Sequence, residues 1–302
     1  MNKREIITSF VQNRPEAIGA YGYGSGVFRQ EGYQAKDKPQ IDIIFVVDDL
    51  KDWHLQNVDK NKDDYPMLGR VFLNRSSIKD LKGRNNITYY SQIYENGYRF
   101  KYGVVEETDF LSSLINWDKF FIAGRFQKPT LRIVGSDEEE EAIKRNKEQA
   151  LLVAALLSPS LISRKNFFRN LCSLSYTGTL RMYVAENPNK VNNIVNGNYE
   201  MLNQIYNLDV DFIECQSELI AIDHHKALRH VKELPTGLLL YLYEAGYDTA
   251  NLESIRNGIS SFLYNRNKTE ELNQTFDTLK TNGVVRSTPY ILAKVKKRIA
   301  GK

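Results

Sequence analysis

Residues 17–47 constrain the fold of this chain more than any other stretch. Ala17–Tyr23 is strand-like and runs into Gly24-Ser25-Gly26-Val27-Phe28, and a second apolar strand follows at Ile41–Val47. The segment joining them, Arg29–Gln40, is polar and carries Gly32 and Pro39, which is poor material for a crossover helix. The two strands are therefore not joined as a helix-linked parallel unit. Ile87–Ile93 and Tyr98–Val105 are tyrosine- and valine-rich, and Glu95-Asn96-Gly97 between them is a hairpin signal. Helices are expected at residues 3–12, 51–56, 77–81 and 106–115, with further strands at 120–123 and 130–134. Hairpins mixed with helices favour an α+β fold over a doubly wound parallel sheet.

The character of the chain changes at Gly135-Ser136. Ser136 and Glu139 have capping-box spacing, and the acids of Asp137–Glu141 suit the first turn of a helix running to about Leu157. That acidic run reads as a solvated helix start rather than a metal site. Helices at 164–174 and 190–208, with strands at 180–185 and 212–222, complete a second unit, and a mostly helical remainder begins at His224. The organisation read from the sequence is thus residues 1–134, 135–222 and 223–302. At 302 residues such a chain can bury a full core.

The glycine turn is the first candidate for chemistry. Its backbone can approach a ligand closely, and amides freed by such a turn cradle phosphate. Asp42 heads the next strand, where a lone carboxylate could hold a metal against the same phosphate. A dinucleotide fingerprint fails because its third glycine would fall on Val27, no helix opens after the turn, and Asp42 begins its strand instead of ending one. A P-loop fails because no Gly-Lys-Ser/Thr follows. What survives is a nucleotidyltransferase-type arrangement, Gly-Ser at a strand end and a carboxylate on the neighbouring strand. A complete Asp-x-Asp pair is absent, since position 44 is isoleucine. Asp48 and Asp49 lie about 20 Å along the strand from Asp42 and suit a turn or helix cap.

Lys101 and Tyr102 sit on the second hairpin strand, where Lys101 is either an edge residue or a point charge for a triphosphate. Arg125 and Lys128 flank a tight turn and add two cations. His224 and His225 are adjacent, face apart and cannot share one metal. His54 either caps a helix or reaches the site. Cys172 and Cys215 form neither a disulfide framework nor a zinc motif, which fits a reducing compartment. The net charge of +4 makes no general case for nucleic acid, and none is expected as a partner. The C-terminal Pro289–Lys302 is different: Lys294, Lys296, Lys297, Arg298 and Lys302 occur without an acid, and Ile291, Leu292, Val295 and Ile299 share one helical face. Such a helix either packs in the ordinary way or lies in a membrane interface.

Taken in order, these residues resemble the translocator assembly and maintenance family, the mitochondrial-type CDP-diacylglycerol synthases. The resemblance rests on Tyr23-Gly24-Ser25-Gly26-Val27-Phe28, Ile41-Asp42 leading to Val47-Asp48-Asp49 with Trp53-His54, and Lys101-Tyr102-Gly103-Val104. It continues through Asn116-Trp117, Ala123-Gly124-Arg125, Lys128-Pro129, Leu174-Ser175-Tyr176 with Gly178, and Arg181-Met182, then matches loosely at Ile222-Asp223. It implies a nucleotidyltransferase domain, a winged-helix-like second domain and a membrane-associating C-terminal region. It also implies the reaction of CTP with phosphatidic acid, using Mg²⁺, to give CDP-diacylglycerol and pyrophosphate. On that pattern Asp42 takes the metal, Asp223 is a second acid, Gly24, Ser25 and Gly26 hold the phosphates, and Lys101, Tyr102, Arg125 and Lys128 serve the nucleotide and its anionic groups. The basic C-terminal helix would meet an anionic membrane surface. Met1–Glu5 has no apolar signal core and does not read as a transit peptide. That suggests a bacterial cytoplasmic form, peripheral on the cell membrane, or one at the mitochondrial inner membrane if the source is eukaryotic. The competing expectations are a nucleotidyltransferase acting on RNA or a small molecule, and a non-enzymatic winged-helix nucleic-acid binder.

Overall fold

The computed structural model describes residues 2–32, 38–65, 81–179 and 188–299, with side chains described as far as residue 278. The expected helix at 77–81 lies almost wholly outside these residues; the strand at 180–185, with the Arg181-Met182 element, and the side chains of 289–302 lie outside them altogether.

A five-stranded mixed sheet organises the first half of the chain. Its strands are β1 (Gly19–Tyr23), β2 (Ile41–Val47), β3 (Thr88–Glu95), β4 (Tyr98–Glu106) and β5 (Thr130–Val134), in the spatial order β3-β4-β2-β1-β5. Only β2 and β4 pair in parallel; the other neighbours are antiparallel. The β3–β4 hairpin turns at Asn96 and Gly97, both at positive φ, as the sequence signal requires. The polar loop after β1 forms no crossover helix among the described residues, so β1 returns directly as antiparallel β2.

Strand alternation sorts the side chains into two cores. Ile41, Ile43, Phe45 and Val47 face α1 (Lys3–Gln12) and α2 (Leu50–Lys60), packing with Phe10, Trp53 and Tyr102. Ile44 and Val46 face the opposite side, with Tyr21, Tyr89, Phe110 and Phe126. That second face is covered by α3 (Glu107–Asn116), α4 (Phe120–Phe126) and the start of α5 (Asp137–Leu157). Helix α5 opens with the expected capping box: Glu139 N donates to Ser136 Oγ at 3.1 Å, and Ser136 N donates to Glu139 Oε2 at 2.8 Å. Asp49 caps α2 by accepting from Asp52 N at 2.7 Å, the turn role expected of it.

Two expected strands differ. Residues 120–123 belong to helix α4, because α3 ends with Trp117 in the left-handed region at φ 55° and the chain restarts immediately as a second helix. Residues 212–222 are a hairpin, β7 (Ile213–Gln216) and β8 (Leu219–Ile222), reversing at Ser217 with φ 53°. With β6 (Leu161–Ser163), these strands make a small sheet of order β6-β8-β7. It packs with α6 (Arg164–Ser173), α7 (Lys190–Ile205), the C-terminal half of α5 and the later helices α8 (His224–Arg229) and α9 (Thr236–Glu244). The last element, α10 (Leu252–Ile299), is a single 48-residue helix.

Candidate active site

Strand β1 ends at Tyr23, and the chain turns at once. Gly24 sits at φ +76°, and its carbonyl accepts from Val27 N at 3.1 Å and Phe28 N at 2.9 Å. A glycine is required at position 26 for a different reason. A Cβ there would collide with the Gln40 carbonyl and stand 2.6 Å from Ile41 Cα, so the turn lies directly on the entry to β2. Asp42, opposite Tyr23 in the register, is thereby set beside Gly24: a Cβ on Gly24 would stand 3.5 Å from Asp42 Oδ2. The other carboxylate oxygen accepts from Gln40 Nε2 at 3.0 Å.

Parallel pairing places Lys101 on β4 next to Asp42 and on the same face. Its ammonium lies 4.1 Å from the centre of the Tyr89 ring. Tyr102, one residue on, must point to the other face. It is fully buried there, and its hydroxyl accepts from Asn57 Nδ2 at 2.9 Å. The structure thus separates Tyr102 from the site it was expected to serve.

Helix α4 brings the next cation. Arg125 donates to the Phe121 carbonyl and stacks 3.5 Å from the Phe121 ring centre. Its guanidinium also lies 5.7 Å from the ring of Tyr23. Lys128, just past the helix, donates to Ser175 Oγ at 2.7 Å and to the Gly124 carbonyl. Burial pushes the Lys128 ammonium down to about 8, with repulsion from Arg125 and Lys190 adding to the effect against an opposing contribution from Cys172. Four parts of the chain enclose the resulting cavity of about 350 Å³. Asp42, Arg99 and Lys101 come from the sheet and Gly24 and Ser25 from the turn after β1, Arg125 and Lys128 from α4 and its end, and Ser175, Tyr176 and Lys190 from the second unit.

Helix α10 closes the last wall with Asn267, Glu270 and Glu271, which the sequence reading missed. Glu270 is 3% exposed and accepts from Phe120 N at 3.1 Å and Phe121 N at 2.5 Å. Burial raises its carboxyl to about 7 against these bonds and the nearby Arg266. No local motif marks Glu270, because its partners lie about 150 residues earlier. Arg99 and Lys190 were missed for the same kind of reason.

Asp223 is placed elsewhere. It is the N-cap of α8, where Oδ1 accepts from His225 N at 3.0 Å and Lys226 N at 3.1 Å, and it does not line the cavity. Those amide bonds hold its carboxyl below the usual range, led by the one from Lys226. His54 is also away from the cavity, fully buried with Nδ1 2.8 Å from the Tyr65 hydroxyl. A larger cleft of about 1090 Å³, running from Lys147 to His230, holds none of the expected site residues.

Among the described residues no group of three or more His, Cys, Asp or Glu side chains is arranged to hold a metal. Mg²⁺ commonly takes one or two carboxylates and completes its shell with substrate phosphates and water. Asp42, lining a cation-rich cavity with one oxygen turned towards Gly24, fits that mode.

A mixed sheet carrying a glycine-walled, cation-lined cavity defines an α+β protein suited to binding a polyanion. A family model described as "Phosphatidate cytidylyltransferase, mitochondrial" matches residues 4–297. The protein of that name from Schizosaccharomyces pombe is 33% identical over 319 residues, covering 94% of this chain and 80% of its own length. The human protein of the same name is 36% identical over 211 residues, covering 67% of this chain and 45% of its own length. The mouse protein is 34% identical over 212 residues, with 67% and 60% covered. The aligned part therefore spans most of the fission-yeast relative but less than two thirds of the mammalian ones. The chain belongs to the mitochondrial-type phosphatidate cytidylyltransferase family, a family of nucleotidyltransferases.

Proposed function

We propose that this chain is a phosphatidate cytidylyltransferase, joining the cytidylyl group of CTP to phosphatidic acid in the cavity between Asp42 and Lys128. The observation that carries the reading is electrostatic. Arg99, Lys101, Arg125, Lys128 and Lys190 converge on one cavity against Asp42, Glu270 and Glu271, and repulsion from Arg125 and Lys190 adds to the burial that depresses Lys128. A triphosphate meeting a second phosphate is the kind of ligand that relieves such crowding.

The nucleophile is a phosphate oxygen of phosphatidic acid. With a second pKa near 6, a phosphomonoester is largely dianionic at neutral pH, so no general base is needed. The oxygen attacks the α-phosphorus of CTP and forms the new P–O bond as the bond to pyrophosphate breaks. The pyrophosphate leaves with that electron pair, and CDP-diacylglycerol remains. The protein supplies position and charge neutralisation. In this assignment the Gly24–Gly26 turn abuts the triphosphate, Lys101 stands beside Asp42, and Arg125 and Lys128 face the phosphates from the opposite wall. Mg²⁺ held by Asp42 would neutralise triphosphate charge when bound. Tyr102 and Asp223 have no part in this assignment.

The described helices include none long and apolar enough to cross a membrane. In our reading the lipid is reached from the surface, with the basic end of α10 on anionic headgroups. Asp42→Asn should fold normally, as judged by its melting curve, yet release no pyrophosphate from CTP with phosphatidate vesicles. Release at the wild-type rate would remove Asp42 from the mechanism.

A further inference from the structure

Helix α4 starts without a cap of its own, since Lys119 at its N-cap position makes no side-chain hydrogen bond. The missing acceptor comes from Glu270 in the middle of α10, whose two carboxylate oxygens take the first two amides of the helix. The same face of α10 holds two more segments, one of them at the cavity. Asn267, one turn earlier, donates to the carbonyls of Leu174 at 2.8 Å and Thr177 at 2.9 Å. The Glu270 carbonyl accepts from Asn85 Nδ2 at 2.6 Å, and Asp277 accepts from Arg84 N at 2.7 Å, fixing the approach to β3.

These contacts lead directly to the cations. Phe121, whose amide Glu270 binds, supplies both the ring under Arg125 and the carbonyl that Arg125 donates to. Ser175, whose hydroxyl accepts from Lys128, follows Leu174, whose carbonyl Asn267 holds. Phe121 alone stands between Glu270 and Arg125, and Leu174 and Ser175 stand between Asn267 and Lys128. We propose that Glu270 is a positioning residue of the nucleotide site, acting through Phe121 to aim Arg125 at the triphosphate. The inference rests on the cavity being the CTP site. It assigns Glu270 no contact with substrate.

A cap that only stabilised the fold would change melting temperature without changing how the folded protein binds nucleotide. The test is therefore CTP binding by titration calorimetry, with melting curves recorded in parallel, on the full chain. Glu270→Ala should weaken CTP binding about tenfold or more, as expected when a charged group is misplaced by about an ångström. Glu270→Gln, which keeps one acceptor oxygen, should recover part of that loss and covers the case in which the alanine variant does not fold. Asp277→Asn perturbs the same helix away from Arg125 and should leave CTP affinity within about twofold, whatever its melting temperature.

The deciding measurement is a double-mutant cycle. Once Arg125→Gln has weakened binding, adding Glu270→Gln should cost little more. Additive losses would overturn the proposal, as would equal losses from the Asp277→Asn and Glu270→Gln variants. An Arg125→Gln variant that binds CTP like wild type would overturn this inference together with the site assignment. Normal binding in Glu270→Gln and Glu270→Ala, beside weak binding in Arg125→Gln, would overturn this inference alone.

Discussion

Lys128 gives a prediction in which stability and function move in opposite directions. Its ammonium is driven from an ordinary value of 10.5 down to about 8, chiefly by burial. At pH 7 the folded protein nevertheless carries the charge, so folding bears the cost of putting it there. The gap, at about 1.36 kcal/mol per pH unit, sets a ceiling of about 3 kcal/mol. Water in the cavity lowers that figure, and removing the lysine also forfeits its hydrogen bond to Ser175, worth about 1 kcal/mol. Lys128→Met should therefore stabilise the chain by about 1–2 kcal/mol at pH 7, seen as a melting temperature raised by a few degrees. CTP affinity should fall about tenfold or more, since a charge-assisted contact is lost. The pH dependence fixes the sign. The wild-type penalty is fully present below pH 8 and disappears as pH rises towards 10.5, where the unfolded lysine also loses its proton. The advantage of Lys128→Met in urea melts should shrink over that interval. A variant less stable than wild type at pH 7, or an advantage that grows with pH, would show that the ammonium is net stabilised and refute the reasoning.

Two further outcomes concern other parts of the chain. His54, which burial holds down to about 3, stays neutral in the folded state while the unfolded side chain protonates below 6.5; stability should drop by about 2 kcal/mol between pH 6.5 and pH 5, and urea midpoints for His54→Gln should lack that decline, whereas an unchanged slope would remove His54 as its source. Deleting residues 289–302 should weaken sedimentation with anionic vesicles, and unchanged sedimentation would sink the membrane-docking role of the basic end.

What could be read from the sequence was what is local. The strand at Ile41–Val47, the Asn96-Gly97 hairpin and the Ser136/Glu139 capping box depend on neighbours a few residues away, and each stands where its pattern places it. The pairing of Gly24 with Asp42 was legible because the polar segment joining their strands is poor material for a crossover helix, which leaves the second strand beside the first. Residues 120–123 were misread because Phe-Phe-Ile-Ala carries β-like composition, while a carboxylate from α10 caps the segment as a helix. Tyr102 could have been set aside from strand alternation alone, since Lys101 and Tyr102 cannot face one ligand. Asp223 offered no such warning. Its loss to a helix cap depends on where β8 ends and α8 begins. Glu270 was out of reach, because nothing within a turn of it in sequence reports that α10 crosses the entrance of α4.

If the basic end of α10 docks on a bilayer as proposed, the 48-residue course of the helix limits how the chain can stand there. At 1.5 Å per residue, Arg298 lies about 42 Å along the helix from Glu270. A helix planted upright on its basic tip would hold the cavity well above the headgroups, beyond reach of a phosphate still anchored by its acyl chains. For the lipid to be used without leaving the membrane, α10 must recline towards the bilayer plane. On the proposed docking mode, that tilt would be a quantity on which turnover depends.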